Sequence, residues 1–573
     1  MTMLSDVFNT LYSNFPLSEL MWYVSSISRF HRIQGCDELE KAAEFIRKEL
    51  LDVKNFRVNL YSYSYNKRYG LHSDVVGWSV RDGFTEVFPQ NKVLSSFLQA
   101  KTSIVAHSPG GDVEAEVVYV GNGLDISRYK EVAGRIVLSY GSPYLVYKIG
   151  CRFGASGFIF FRKNAYESAI PYIGLFLSRD DLKECKAPAT TISKEDAMRI
   201  IDRIERGNKI RARIYVEASY RAESFAPVLE VSLGDGDSEV HLYAHMCHPA
   251  GTVNDNASGV AALIGLIHAM DRAIDRGRMH PPSTRRITFV FFPEYYGSLP
   301  YLATKQDKNT NVVFGINLDM IGEKQTLTNS TLLFIRSPEL FSNPLYEALT
   351  FKMLYHAISK GGSFSSVSRT TRYRFDIVPY DSGSDHDIYL QFGVPSVMLN
   401  QWPDLFYHSN LDSIDKFDAE ITRDIAVAVG TAAYAIAQKK TREAFSEKLS
   451  DTYRELVRSW VKLKSIDLRE WLATPAIGDK AFYEYSAPRG VISVRTMVSR
   501  LGVEKAVEAV KDLEDRFGFH LATRYIPLLT MARPCTVNDI ARHILYEYGI
   551  EVSKETIEKA LSILVALGAV TKK

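Results

Sequence analysis

The chain has little of what would mark a membrane, secreted or nucleic-acid-binding protein. No run approaches the ~18 consecutive apolar residues of a membrane-spanning helix. The apolar runs "YLVYKIG" and "ITFVFF" are of strand length instead. The five cysteines (Cys36, Cys151, Cys185, Cys247 and Cys535) are odd in number and widely spaced. That spacing is no disulfide framework and favours a reducing compartment. Charge of one sign is also missing: 69 Lys and Arg against 67 Asp and Glu leave a net charge of +2. No global field therefore draws nucleic acid or anionic lipid. The opening "MTMLSDVFNTLYSNFPLSEL" has no basic stretch followed by an apolar one. A signal peptide is not expected, and a cytoplasmic location without a membrane partner is. Internal repeats and low-complexity segments are absent too.

What is present is ordinary globular composition, 46% hydrophobic and 24% charged. A chain of 573 residues is too long for one hydrophobic core, so several domains are expected. Residues 1–60 read as an N-terminal helical part, with "DELEKAAEFIRKELL" carrying apolar residues at helical spacing. Residues 61–109 read as a connecting β segment. Residues 110–215 form a separable β-rich piece, in which "AEVVYVGNG", "GRIVLSYG" and "GASGFIFFRK" are short runs beside glycine. From 225 to 440, apolar strands such as "EVHLYAH", "RRITFVFFP", "NVVFGINLDMIG" and "VPSVMLNQ" alternate with helical segments such as "GVAALIGLIHAMDRAI". The expected fold class is therefore α/β, a mixed sheet flanked by helices. Residues 441–530 read as helical. The tail, 531–573, reads helix, turn, helix and short strand, like a winged helix.

The chemistry collects where strands end, the place where open α/β sheets gather their functional groups. "EVHLYAH" ends at His245, "ITFVFFP" leads to Glu294, and "GINLD" ends at Asp319. "VPSVMLNQ" leads to a loop carrying His408, and Asp255 in "VNDNASG" precedes a helix beginning near Gly259. Each has a bland alternative: Asp255 as a helix cap, Asp319 as a turn residue, Glu294 as a surface carboxylate. Their joint arrival at one sheet edge is harder to explain without a function. Imidazole plus carboxylate suits zinc, cobalt or manganese, and a bridging carboxylate can hold two such ions.

The motifs "AHMC", "NDNASG", "PEYYGS", "LDMIG" and "YHSNLDSID", in that order, resemble the zinc aminopeptidase family of co-catalytic metallo-exopeptidases. That family includes leucyl aminopeptidases, some with a protease-associated insert. "AEVVYVGNG…VAGRIVLSYG…GASGFIFF" resembles that insert, and the likeness spans roughly 15–440. The pair "HxCHP" and "PExxGS" is most similar to a less characterised archaeal and bacterial branch. The resemblance implies one or two zinc ions (cobalt or manganese being alternatives), with His245 and His408 on one ion, Asp319 on the other and Asp255 between them. It implies Glu294 as general base and a peptide as substrate.

Two departures stand out. "PEYYGS" offers Glu294 followed by Tyr295 where the family has two glutamates, one a base and one a ligand. Glu323 in "MIGEK" is one candidate replacement. Cys247 stands where an aspartate normally orients the first histidine, and Cys247 or His248 are further candidate ligands. Asp385 and His386 in "GSDHDIY" either contact the reacting group or cap a helix, and with Tyr295 they are candidate pocket residues. The tail, from Thr536 to Lys573, carries five acids and five bases. Nucleic-acid binding is accordingly not expected of it, and protein contacts in a homo-oligomer are. The expected activity is a metal-dependent aminopeptidase. The rivals are a non-catalytic relative that binds or regulates, and an amidase or deacylase on the same frame.

Overall fold

The computed structural model describes residues 2–464, 481–516 and 518–573. Its centre is an eight-stranded mixed sheet. In spatial order the strands are Phe56–Ser64, Phe225–Leu233, Arg285–Phe292, Ser238–His245, Asn311–Leu318, Ser396–Trp402, Thr331–Ile335 and Phe375–Val378. The four in the middle, from Arg285–Phe292 to Ser396–Trp402, run parallel. Their carboxyl ends therefore share one edge. Helices Gly259–Asp275, Pro344–Ile358 and Ala419–Ala437 bury their apolar side chains in the largest core, together with the N-terminal helices. Burial on both faces is why the central strands read as continuous apolar runs rather than alternating ones.

The insert is a second, seven-stranded sheet, ordered Lys92–Ser96, Gly77–Phe88, Arg211–Arg221, Gly111–Tyr119, Ile136–Ser139, Gly157–Phe160 and Ala189–Thr191. Strands within 61–109 belong to this sheet and are not a connector. Gly77–Phe88 pairs along its length with Arg211–Arg221, a partner far away in sequence. "YLVYKIG" lies within the helix Pro143–Arg152, not in a strand. Its apolar residues Leu145, Val146 and Ile149 are all buried there, a pattern that a short run shares with a buried strand. A second correction concerns the cysteines. Cys151, in that helix, and Cys185, just after the helix Arg179–Glu184, form a disulfide with Cα atoms 5.9 Å apart. Tertiary approach of two helix ends decides the pairing, and sequence spacing does not show it.

The C-terminal part packs helices Val494–Leu501, Val503–Arg516, Ile526–Ala532, Val537–Tyr548 and Lys554–Ala566 with a two-stranded sheet. That sheet pairs Tyr483–Tyr485 with Val570–Lys572. The unit is thus closed by a strand well before residue 531. It shares one apolar core with the near face of the insert.

Candidate metal centre

The strand Ser238–His245 delivers His245 to the carboxyl edge, and its parallel neighbour Asn311–Leu318 delivers Asp319. His245 Nε2 lies 3.2 Å from Asp319 Oδ1 and 3.4 Å from Asp255 Oδ1. The chain then turns back on itself. His248, at φ +127°, brings its Nε2 to 3.3 Å from Asp255 Oδ2 and 3.2 Å from His408 Nε2. His408 Nε2 is 2.9 Å from the same Asp255 oxygen. Two donor groups result: His245, Asp255 and Asp319, and His248, Asp255 and His408. Asp255 belongs to both, one oxygen facing each.

The grouping departs from the expected one. His245 pairs with Asp319, not with His408, because the two end adjacent parallel strands. His408 pairs with His248. Glu323 joins neither group. It is buried against Asp404, whose carboxyl, after burial itself, pushes Glu323 up to about 10. Cys247 lies with its Sγ 3.6 Å from His245 Nδ1 and accepts the Glu294 N–H at 3.3 Å. It is also within ligand reach of His245 and His248 together. Burial holds the thiol neutral by raising its pKa.

Backbone and side-chain partners fix these groups. Asp412, buried in the "NLDS" loop, accepts the N–H groups of Asn254 and Asp255 at 2.7 and 3.0 Å. Asn256 donates to the Leu318 carbonyl and accepts from Met320, tying the Asp255 loop to the Asp319 strand. Gly259 starts the helix against that strand, and a Cβ there would sit 2.4 Å from the Leu318 carbonyl oxygen. On the N-terminal side, Arg32 accepts the His248 N–H through its carbonyl and donates to the carbonyls of Met246 and Thr252. From the insert, Tyr172 donates its N–H to the His408 carbonyl at 2.6 Å, and its ring packs edge-on against His248 and His408. Arg162 Nη2 lies 3.2 Å from His408 Nδ1. Tyr295 and His408, like His248, have positive φ, at +58° and +50°. Such backbone strain is concentrated where the surroundings over-determine a site.

Proton positions follow from these partners. His248 Nδ1 faces the Cys247 carbonyl at 2.8 Å, which only accepts, so its Nε2 presents a lone pair to the centre. His408 Nδ1 faces Arg162, which only donates, so its Nε2 carries the proton when no ion is bound. Electrostatics are tense in the bare site. Burial raises the pKa of Asp255 and, reinforced by Asp385, Asp319 and Asp255, raises that of Glu294 well above the carboxylate range, although His245 opposes it. Burial pulls His248 down to about 3 and, with Arg162, lowers His408 too. His245 runs the other way: burial opposes its charge, but Asp319 and Cys247 raise it well above its usual value. Asp255 Oδ1 is buried without a hydrogen-bond partner. Three imidazoles and two carboxylates converging on an orphaned oxygen are a donor set that fits one or two zinc-like cations. A cation would bring the raised carboxyls and His245 back down and hold His248 and His408 neutral.

Glu294 stands beside the donor groups, its carbonyl held by Gln34 Nε2 at 2.9 Å, and it lines a cavity of about 290 Å³. Tyr295 lines the same cavity, and its hydroxyl donates to Asp387 at 3.1 Å. Asp385 and His386 are fully buried and do not line it. Asp385 accepts the Tyr295 N–H at 2.8 Å and the Ser298 hydroxyl at 2.5 Å, so it supports the Glu294 loop from below. His386 Nε2 meets the Asp381 carbonyl. Sequence reasoning missed Arg162, Asp412 and Gln34. They come from three distant segments, and only "YHSNLDSID", which contains Asp412, carried a signal.

Residues 229–433 match the profile of Peptidase family M28. Over 90 residues the chain is 29% identical to a protein of Clostridium acetobutylicum described as a putative polysaccharide biosynthesis protein with an aminopeptidase-like domain. That match covers 16% of this chain and 19% of the relative, so it spans only a small part of that protein's length. Among solved structures, a zinc aminopeptidase from Bacillus subtilis is similar, with 18% identity and a TM-score of 0.52 over 76% of this chain and 98% of its own. A putative peptidase from Clostridium acetobutylicum aligns over 100% of this chain and 99% of its own, at 14% identity and a TM-score of 0.52. A Peptidase M28 precursor from Shewanella amazonensis reaches a TM-score of 0.57 at 15% identity, over 77% and 97% of the two chains. At these identities the structural likenesses show the fold, and the profile match shows that its central segment is similar to Peptidase family M28.

Proposed function

We propose, from the match of residues 229–433 to Peptidase family M28 and from the site's geometry, that the protein is a metal-dependent aminopeptidase that removes N-terminal residues from peptides. The observation that carries this reading is the pair of donor groups sharing Asp255, with Glu294 beside them. His245, Asp319, His248 and His408 would hold the ions, with Asp255 bridging. Divalent ions held there polarise a carbonyl and acidify water. The protein's own groups do the rest. Glu294 takes the proton of the attacking water and returns it to the leaving amine, its raised pKa being brought down by the nearby positive charge. Cys247 orients His245 through Nδ1 and steadies the Glu294 backbone. A buried site with acidic groups at one end suits a protonated amino terminus, which gives exopeptidase selectivity.

The test pairs two measurements on zinc-loaded protein. Dipeptides and tripeptides with a free amine are cleaved, and their N-acetylated forms are not. Equal cleavage of both would favour an amidase or deacylase and defeat this reading. Glu294→Gln keeps its metal and loses about a hundredfold or more in kcat, the usual share of a general base. Loss of metal instead would make Glu294 a ligand.

A further inference from the structure

The cavity that Glu294 lines is closed by the C-terminal part of the chain. Val491, Ser493, Arg495, Thr496 and Arg524 form one wall, and the turn around His72 forms another. Four arginines line it (Arg68, Arg495, Arg500 and Arg524), against one carboxylate, Glu294. Such an imbalance is unusual beside a site already crowded with acids.

Hydrogen bonding sharpens the point. Arg495 Nε and Nη1 are buried without a hydrogen-bond partner. His72 is 7% exposed, and its Nε2 accepts the Val491 N–H at 3.0 Å, so the proton sits on Nδ1. That Nδ1 is also buried and unpartnered. Arg524 Nε has no hydrogen bond either, although Asp387 Oδ2 lies 3.8 Å away. Every orphaned polar atom among the cavity's lining residues is therefore a donor. Leaving buried donors unmade is costly; the Arg495 guanidinium lies over the Tyr144 ring, 5.2 Å from its centre, which leaves Nε and Nη1 still without a hydrogen-bond acceptor. The missing partner is an acceptor, and a charged one where a guanidinium is concerned.

We propose that this cavity binds a carboxylate of the substrate, held by Arg495 with His72 and Arg524 beside it, so that the enzyme acts on short acidic-ended peptides. The inference rests on the aminopeptidase reading for its substrate class. Size agrees: about 290 Å³ is at the small end of ligand pockets, which run from ~300 to ~1,000 Å³, and admits a residue or two past the scissile bond. A carboxylate can come from the peptide's own C-terminus or from an acidic side chain. In the first case a protein-length substrate gains nothing from the cavity; in the second it gains only with an acidic residue after the scissile bond. The C-terminal part thereby completes the substrate site and is not a mere appendage.

The test compares three ligands, Leu-Gly, Leu-Gly-amide and Leu-Glu-amide, on the zinc-loaded full chain. Wild type favours a carboxylate-bearing ligand, Leu-Gly or Leu-Glu-amide, over Leu-Gly-amide by roughly ten- to a hundredfold in kcat/KM, the size of a lost charge-assisted hydrogen bond in a desolvated pocket. In Arg495→Ala that ratio falls toward one, and Arg495→Lys recovers part of it. Recovery by Leu-Glu-amide in wild type assigns the carboxylate to the side chain; its failure assigns it to the C-terminus. Equal rates for all three ligands in wild type, or a preference that Arg495→Ala leaves intact, would overturn the proposal. Calorimetric binding of the same ligands separates the two readings. If nothing is cleaved yet Leu-Gly binds more tightly than its amide through Arg495, the aminopeptidase reading fails and the carboxylate site stands. If all three ligands bind alike, the carboxylate site fails, whatever the turnover.

Discussion

His248 is where this chain's own chemistry shows most clearly at the scale of single residues. The family-like segment "PEYYGS" supplies one glutamate fewer than the resemblance calls for, and Tyr295 turns toward Asp387 instead. On the proposed reading His248 would fill the gap from another direction. Its Nδ1 is spent on the Cys247 carbonyl, its Nε2 faces Asp255 and His408, and its positive φ holds that posture. A neutral imidazole in place of a carboxylate leaves the second ion with one negative charge fewer around it. His248→Ala should therefore leave one ion, on His245, Asp255 and Asp319, and lose the other. Elemental analysis after removal of loose ions reads this directly: close to two ions per chain in wild type and one in the variant. Two ions in both would show that His248 is not a ligand.

The central strands were plain in the sequence at the scale of elements, because a parallel sheet buried on both faces writes itself as apolar runs ending in functional groups. The residues that the structure brings together stand at such places: His245 and Asp319 close strands, Asp255 precedes a helix, and His408 lies in the loop after a strand. What was hidden shares one physical cause, dependence on distant partners. "YLVYKIG" is a helix buried continuously from Leu145 to Gly150, packed against the distant C-terminal helices Val494–Leu501 and Val503–Arg516. Cys151 and Cys185 met because two helix ends approach. The pairing of His245 with Asp319 follows from strand adjacency, which a linear motif order does not contain. Arg162 sits in a segment with no motif at all, yet it decides the proton position on His408.

One element-scale cluster makes a pH prediction. Glu239, on the strand bearing His245, is buried with His241, Arg286 and Lys305 around it. Burial alone would raise the Glu239 pKa, but the bonds to His241 and the charge of Lys305 drive it far below its ordinary 4.5. Glu230 is lowered by Lys305 in the same way, against its own burial. A depressed carboxylate lends stability that is fully present above its unfolded pKa and is lost as pH falls through that value toward the folded one. The strand and the helix Ser298–Asp307 should therefore weaken together below about pH 4.5, the ordinary carboxyl value. Urea midpoints measured from pH 7 to pH 3 should fall more steeply for wild type than for Glu239→Gln. Parallel curves would mean that this cluster does not govern the acid limb.

At the scale of the whole molecule, three parts of one chain converge on a single centre. The N-terminal segment holds the His248 loop, the insert holds His408, and the C-terminal part walls the cavity beside Glu294. The last of these depends on how firmly the C-terminal part is docked. Its anchor is Glu547, fully buried, whose carboxylate meets Arg336 of the peptidase domain at 2.8 Å and accepts the Glu339 N–H at 3.2 Å. Removing one partner of a buried pair strands the other charge, at about 3–5 kcal/mol. Glu547→Ala should thus loosen the C-terminal part while leaving the peptidase domain folded, since the large core around the central sheet does not include it. Hydrogen exchange should then rise in the helices Val494–Leu501 and Val537–Tyr548 and remain slow in the strand Ser238–His245. Turnover of Leu-Gly should fall toward that of Leu-Gly-amide, because the arginine wall no longer holds its place. If exchange rises everywhere at once, the C-terminal part and the peptidase domain are a single cooperative unit, and the anchor has a global role instead.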